Sequence, residues 1–96
     1  MEFKGARFDV PDQDKIESNL RKHGVSFDEA KTVFADSLSI TVPDAEHSVG
    51  EERWLMIGTS RTGRLLVVCH TERSGMIRIF SAREATRHER KAYEHG

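Results

Sequence analysis

The side chains best suited to chemistry form a group of cations near the C-terminus. They are Arg78, Arg83, Arg87, Arg90 and Lys91. Arginine is preferred over lysine here, and a guanidinium group is planar, permanently charged and able to donate two parallel hydrogen bonds to a phosphate. The pattern therefore predicts a phosphate clamp formed by Arg78, Arg83 and Arg87. Ion pairing with Glu84 or Glu89 on a solvated face is the alternative explanation of the same charges.

The hydrophobic pattern changes at Ser81 and indicates how these cations are positioned. Residues 76–80 read as a strand. From Ser81 onward the sequence Ser-Ala-Arg-Glu matches a capping box, in which the side chains of Ser81 and Glu84 each bind the other's backbone amide. We therefore predict that a helix begins here and carries most of the cations on one side, at spacings of three and four residues. A strand that leads into such a helix would form a cationic notch of phosphate size.

Two further helices are predicted in the first third of the chain, after a short strand within residues 2–10. Asp12 or Asp14 supplies the N-cap of the first helix, and Gly24 is the glycine expected after its C-terminus. Residues 26–29, Ser-Phe-Asp-Glu, form a second capping box and open a shorter helix.

A meander of strands follows these two helices. The predicted strands lie at residues 38–42, 53–59, 65–71 and 76–80. The first alternates and turns Leu38, Ile40 and Val42 inward, whereas the third is so continuously apolar that it belongs at the centre of the sheet. The fold class is therefore α+β in one domain over residues 1–96: a short N-terminal strand, two helices, an antiparallel sheet of about four strands and a C-terminal helix.

Composition and charge narrow the class of protein. With 36% hydrophobic and 32% charged residues, the chain is polar but able to fold. It shows neither an apolar span nor a signal peptide, which predicts no membrane partner, and its one cysteine, Cys69, predicts a buried thiol in a reducing cytoplasm. Residues 1–52 carry 12 acidic and 6 basic side chains, whereas residues 53–96 carry 4 and 9. Such a bipolar molecule can present one basic face to a polyanion.

Four blocks of the sequence carry a more specific pattern. They are residues 19–30 (NLRKHGVSFDEA), 44–53 (D-x-E-H-S-x-x-E-E-R), 63–73 (GRLLVVCHTER) and 78–93 (R-I-F-S-A-R-E-A-T-R-x-E-R-x-x-Y). In order and spacing they closely resemble the BrnT family, the toxins of bacterial type II toxin–antitoxin pairs, over nearly the whole chain. One departure is Phe8-Asp9-Val10, which stands where the family usually has Phe-Glu-Trp.

The resemblance implies a RelE-like ribonuclease fold and a metal-independent endoribonuclease that arrests translation without a cofactor. It also implies a BrnA-like antitoxin with a ribbon-helix-helix domain, which would bind the toxin and contact operator DNA on behalf of the pair. The five histidines and one cysteine show no paired zinc-ligand spacing, in agreement with this expectation.

Metal-free RNA cleavage requires cations around the phosphate and groups that transfer protons. The candidates for catalysis are Lys22, His23, Glu52, Arg53, His70, Arg78 and Arg83. The candidates for RNA binding are Arg73, Arg87, Arg90, Lys91 and Tyr93. Helix capping also explains Lys22 and His23, a strand-end hydrogen bond also explains His70, and packing on the sheet also explains Tyr93.

Other readings of the sequence remain open. A non-catalytic binding module would use the same basic face to receive a partner protein or a nucleic acid, and a structural subunit would depend on a partner for stability. Arg61, Arg64 and His88 are assigned no role beyond solubility.

Overall fold

An antiparallel sheet with the strand order β1-β2-β3-β4 forms the centre of the protein. The computed structural model describes residues 6–48 and 50–95. Its elements in chain order are α1 (Gln13–His23), α2 (Phe27–Thr32), a 3₁₀ turn (Val33–Ala35), β1 (Ile40–Pro43), β2 (Trp54–Thr59), β3 (Leu65–Arg73), β4 (Met76–Glu84) and α3 (Arg87–His95). The predicted α+β meander with a C-terminal helix is confirmed.

The helices pack on opposite faces of the sheet. On one face, α1, α2 and the 3₁₀ turn enclose the main core, in which Val25, Val33, Leu66 and Val68 are fully buried. On the other face, Tyr93 of α3 packs on a smaller cluster of Ile57, Leu65 and Val67. Because β3 contributes to both clusters, its first seven residues are all buried, as the continuous apolar run predicted.

Local signals place the first two helices as expected. The Asp12 side chain accepts a hydrogen bond from the amide of Asp14 and caps α1, and Gly24 ends the helix with a φ of 66°. Ser26 Oγ accepts from the amide of Glu29 and caps α2. The Glu29 side chain, however, does not return to Ser26 to complete the predicted box; it turns toward Arg64, as described below.

The predicted helix start at Ser81 is wrong. β4 continues through Ser81 to Glu84, and these residues pair with β3 from Leu66 to Cys69. The side chain of Asn19 on α1 donates to the carbonyl of Ala82 and accepts from its amide, at 2.8 and 3.1 Å, which fixes the backbone as a strand. Tertiary pairing therefore overrides the local capping signal, and Arg83 belongs to the sheet instead of the helix.

The helix begins instead after Thr86, where a second capping box is formed. Thr86 Oγ1 accepts from the amide of Glu89, and Glu89 Oε1 accepts from the amide of Thr86. Of the predicted helical cations, Arg87, Arg90 and Lys91 therefore lie on α3, whereas Arg83 does not.

Two other predictions at strand ends need correction. Leu38 lies in the turn before β1 and is 71% exposed, and Val42 is 39% exposed because β1 is a short edge strand. The predicted N-terminal strand is a single parallel bridge between Phe8 and Ile77, and its first part, residues 2–5, lies outside the described residues.

An irregularity in β4 matters for the site. Cys69 pairs with Ser81 and the next residue, His70, pairs with Ile79, so Phe80 is an extra residue with no partner in the register. A β-bulge of this kind turns a side chain away from the regular alternation and increases the local twist. Phe80 is thereby directed toward the boundary between the sheet and α1, where Lys15 lies 5.3 Å from the centre of its ring.

Candidate functional site

The face of the sheet that carries α3 is open at its other end. There, side chains of β2, β3 and β4 meet the β1–β2 loop around a cleft of about 650 Å³, which we call the arginine cleft. Its charged and reactive lining residues are Arg53, Arg83, Lys15, Asp44, Glu46, His47 and Cys69. The structure thus brings two of the predicted catalytic arginines, Arg53 and Arg83, to one site.

Arg53 is held against the bulged aromatic ring. Its guanidinium carbon lies 3.7 Å from the centre of the Phe80 ring, a cation–π contact. Its Nε is buried and makes no hydrogen bond within the part of the chain that the structure describes. A buried donor without an acceptor costs about 1–3 kcal/mol. Arg53 Nε would therefore gain a hydrogen bond from any acceptor that reached it from outside the protein.

Arg83 is oriented by a carboxylate of the C-terminal helix. Its two terminal nitrogens donate to the two oxygens of Glu89 at 2.7 and 2.8 Å. This pairing lowers the pKa of Glu89 to about 2 and raises that of Arg83, so both stay charged at neutral pH. Because Glu89 also caps α3, the position of Arg83 is tied to the start of that helix. The predicted ion pair between Arg83 and Glu89 is therefore present. Arg83 also lines the arginine cleft.

A histidine–carboxylate pair lines the same cleft and was not among the sequence-based candidates. His47 Nδ1 lies 2.9 and 3.2 Å from the two oxygens of Asp44. Asp44 is only 6% exposed, whereas the side chain of His47 is 61% exposed. The carboxylate therefore orients the ring with Nδ1 toward Asp44 and Nε2 on the side away from it. The sequence signal that could have identified this pair is a histidine three residues after an aspartate, within residues 44–47.

The backbone around Asp44 is held firmly for a loop. The amide of Asp44 donates to the carbonyl of Arg53, and Ser48 Oγ donates to the carbonyl of Asp44 at 2.6 Å. The amide of Arg53 in turn donates to Ser48 Oγ. These bonds connect the histidine pair to the start of β2, so His47 and Arg53 keep a fixed relation across the cleft.

Cys69 lies in the floor of the cleft as a neutral thiol. Burial, followed by the neighbouring Asp44 carboxylate, raises the pKa of Cys69 to about 11, although Arg53 and Arg83 oppose the rise. Its Sγ is 3.6 Å from Asp44 Oδ2, where the thiol donates a weak hydrogen bond. The thiolate is the nucleophilic form of cysteine, so this side chain is a hydrogen-bond donor to Asp44 at neutral pH and not a nucleophile.

Three other predicted site residues lie on the opposite face of the sheet. Glu52, His70 and Arg73 line a separate cleft of about 730 Å³ between the end of β3 and Trp54, which we call the acidic cleft. Arg73 is paired there with Glu51 at 2.5 Å. Burial lowers the pKa of His70, whose ring packs edge-on against Phe34. These three residues therefore do not join Arg53 and Arg83.

The remaining predicted catalytic residues lie beside α1. Lys22 and His23, in its last turn, line a small cleft that also includes Phe80 and Ser81. Arg78 lines a different depression together with Lys15, Asp9 and Asp12. The predicted clamp of Arg78, Arg83 and Arg87 is consequently not assembled in one cavity, because Arg83 and Arg78 lie on either side of the bulge and Arg87 lies on α3.

The predicted RNA-binding residues of α3 divide into two groups. Arg87, Arg90 and Lys91 are exposed. Tyr93 faces the sheet, and its hydroxyl donates to Asp36 at 2.7 Å, which anchors the helix. A role for these four residues in RNA binding stays a prediction.

Arg64 has a structural role that the sequence analysis did not assign. Its Nε and one terminal nitrogen bind the two oxygens of Glu29 at 3.0 and 2.5 Å, and the same terminal nitrogen donates to the carbonyl of Gly24. Ser60 and Thr62 also donate to Glu29. The hydrogen bonds from Arg64 are the largest cause of the fall in the pKa of Glu29 to about 2. This network ties α2 to the β2–β3 hairpin.

In residues 6–48 and 50–95, no group of three His, Cys, Asp or Glu side chains is placed to hold a metal ion. No helix in the same ranges combines the length and apolar character needed to cross a membrane.

Guanidinium groups can stabilise negative charge on a phosphate, and a histidine held by a carboxylate can transfer a proton. Comparison with known families agrees. The family model described as the ribonuclease toxin, BrnT, of type II toxin–antitoxin systems matches residues 12–89. The chain therefore belongs to the BrnT family of ribonuclease toxins, as the four sequence blocks indicated. Comparison with individual curated proteins gives no match.

Proposed function

We propose that this protein cleaves RNA in the arginine cleft without a metal ion, by attack of a ribose 2′-hydroxyl on the adjacent phosphorus. The observation that supports the proposal is the meeting of Arg53, Arg83 and the Asp44-held His47 in one cleft. Membership of a ribonuclease toxin family supplies the class of reaction, and the cleft supplies the groups that this reaction needs.

The two arginines stabilise the charge that develops on the phosphate. Attack of the 2′-oxygen produces a five-coordinate phosphorane that carries more negative charge than the starting diester. Arg53, just before β2, and Arg83, on β4, approach the cleft from either side of β3, so a phosphate between them is contacted from two directions. Because the sheet and Glu89 already hold Arg83, little reorganisation accompanies the reaction.

His47 removes the proton from the attacking hydroxyl. Its Nε2 accepts this proton while Nδ1 stays bonded to Asp44, whose negative charge stabilises the resulting imidazolium. The 2′-oxygen forms a bond to phosphorus as the bond to the 5′-oxygen breaks. The leaving oxygen takes a proton from water. The products are a 2′,3′-cyclic phosphate and a 5′-hydroxyl.

The consequence in the cell follows from the substrate. Cleavage of RNA in the cytoplasm would inhibit translation, so a toxin of this kind needs a partner that blocks it. We propose a BrnA-like ribbon-helix-helix antitoxin, whose ordered segment covers the arginine cleft and whose DNA-binding domain brings the pair to its operator. Complementary charge would make the encounter fast and dependent on salt.

Alanine substitutions of the two cleft arginines test the proposed site. We expect Arg53→Ala and Arg83→Ala each to lower kcat/KM for RNA cleavage roughly 10- to 100-fold, because each loses a charge-assisted contact of about 1.5–3 kcal/mol. Arg61→Ala is the matched control, since Arg61 is exposed in the β2–β3 turn and does not line the cleft. Melting temperatures of all variants should be recorded alongside. Wild-type rates in both cleft variants would show that cleavage occurs elsewhere.

A further inference from the structure

The small cleft beside α1 continues the arginine cleft along the surface. It lies between α1 and the β4 bulge, and we call it the α1 cleft; its lining includes Lys15, Ser18, Lys22, His23 and Phe80. Lys15, Phe80 and Ser81 line both clefts, so the two are neighbours that share one wall. A chain bound at Arg53 and Arg83 would therefore reach the α1 cleft within a short distance.

The shared wall is aromatic and is placed there by the bulge. A regular strand would alternate its side chains between the two faces of the sheet, but the extra residue in β4 frees Phe80 from this alternation. Arg53 lies over the ring at 3.7 Å, within the arginine cleft. Lys15 Nζ lies 5.3 Å from the ring centre on a long side chain that can move aside for a planar ligand.

The opposite wall is cationic and rigidly attached. Lys15, Ser18 and Lys22 follow one another at spacings of three and four residues, so they share one side of α1. The buried Asn19 holds this helix on β4 through its paired hydrogen bonds with Ala82 and a further bond to the carbonyl of Val25. Among the described residues that line the α1 cleft, Asp14 is the one carboxylate, against two lysines.

We propose that the α1 cleft is a subsite for the nucleotide next to the cleaved linkage of a single-stranded RNA, with its base stacked on Phe80 and its phosphate bound by Lys15 and Lys22. An aromatic platform beside cations is the usual means of holding an unpaired base, and it accepts single strands because bases in a duplex are already stacked. This inference rests on the proposed function. It extends that function by defining the substrate as unpaired RNA.

A binding cycle with a base-deleted RNA tests the subsite. The probe is a short single-stranded RNA with a 2′-deoxy nucleotide at the mapped cleavage position, which allows binding without cleavage, and its dissociation constant is measured by fluorescence anisotropy. We expect Phe80→Leu to weaken binding on the order of 10-fold, the usual effect of losing one base–aromatic stack, and Phe80→Tyr to bind as the wild type does. Removing the base at one nucleotide beside the cleavage position should weaken wild-type binding equally.

Coupling between the two changes decides the result. On the RNA that lacks this base, Phe80→Leu should weaken binding clearly less than on the complete RNA, since the stacking partner is already gone and only the support of Arg53 is lost. Suppose that Phe80→Leu raises the dissociation constant by the same factor with and without the base, whichever base is removed. In that case Phe80 does not stack on a base and the subsite is wrong. Phe80 also supports Arg53. Loss of that support would weaken the binding of both RNAs by the same factor, so the difference between the two RNAs reports base stacking alone.

Lys22→Ala provides a second test that does not disturb the sheet. Lys22 is exposed in the last turn of α1, so the fold should persist. We expect weaker RNA binding and a smaller dependence of the dissociation constant on salt, by about one counterion. An unchanged salt dependence would overturn the phosphate contact. If the wild type leaves RNA intact, the proposed function is wrong; if it cleaves RNA but both subsite tests are negative, only the subsite is wrong.

Discussion

His47→Ala should reduce RNA cleavage about 10²- to 10⁴-fold, the range expected when a positioned general base is removed. The loss should appear in kcat, because His47 acts on the proton of the attacking hydroxyl and makes no other contact that holds the substrate. The fold should be retained, since the side chain is 61% exposed and its hydrogen bonds are to Asp44 alone among the described residues. Single-turnover cleavage of a labelled RNA measures the effect.

Two further variants separate catalysis from structure. Asp44→Asn should reproduce much of the loss, because an amide neither fixes the protonated Nδ1 nor stabilises the imidazolium. His88→Ala is the control histidine: it is exposed on α3 and does not line the arginine cleft. Cleavage by His47→Ala at the wild-type rate would remove the histidine from the mechanism and leave the base to be sought elsewhere.

Glu29→Gln should lower the free energy of unfolding by about 2–3 kcal/mol at neutral pH. Breaking a buried ion pair typically costs 3–5 kcal/mol, and we reduce this value because the Arg64 side chain is 33% exposed. The substitution leaves Arg64 without its carboxylate and removes the charge that Ser60 and Thr62 solvate. For a domain of this size, the melting temperature should fall by roughly 10–15 °C.

The same variant makes a prediction about pH. The folded protein holds the pKa of Glu29 near 2, against 4.5 without these contacts. A lowered carboxyl pKa stabilises the folded state fully above 4.5, and this contribution is lost as pH falls toward 2. The difference between wild type and Glu29→Gln in urea unfolding should therefore narrow markedly from pH 7 to pH 3. Asp28→Asn, at an exposed neighbour on α2, should change stability by less than about 0.5 kcal/mol. A difference in stability between the wild type and Glu29→Gln that does not change with pH would contradict the lowered pKa of Glu29.

The parts of the fold that the sequence predicts best are those decided by short-range chemistry. The caps at Asp12, Gly24 and Ser26 depend on backbone groups within three or four residues, so their sequence signals carry over directly into the structure. The long apolar run of β3 likewise predicts a central strand, because both of its faces must be covered. Together with the hydrophobic patterns of the other strands, these features give the predicted order of elements.

The start of α3 shows where local signals are insufficient. Both Ser81-Ala82-Arg83-Glu84 and Thr86-Arg87-His88-Glu89 match a capping box. The choice between them is made by distant residues: β3 is long enough to pair as far as Glu84, and Asn19 binds the backbone of Ala82. No pattern within the segment itself contains that information.

The sequence predicts some residues of the candidate site but not the complete set that the fold brings together. The sequence indicated arginines for phosphate, and Arg53 and Arg83 do share a cleft. It did not indicate that His70 would lie on the other face, because which side of a strand faces which helix or loop depends on how the sheet packs in the folded protein. His47 was overlooked because its orientation depends on Asp44, and Asp44 is buried only in the folded loop.

The most direct test of the proposed chemistry is to cleave an RNA whose scissile nucleotide has lost its 2′-hydroxyl. The purified protein should cut the all-ribose RNA in the presence of a chelator and leave 2′,3′-cyclic phosphate and 5′-hydroxyl ends. The matched RNA with one 2′-deoxy nucleotide should remain intact at that linkage. Cleavage of the deoxy linkage, 5′-phosphate ends or loss of activity with the chelator would contradict metal-free attack by the 2′-hydroxyl in the arginine cleft.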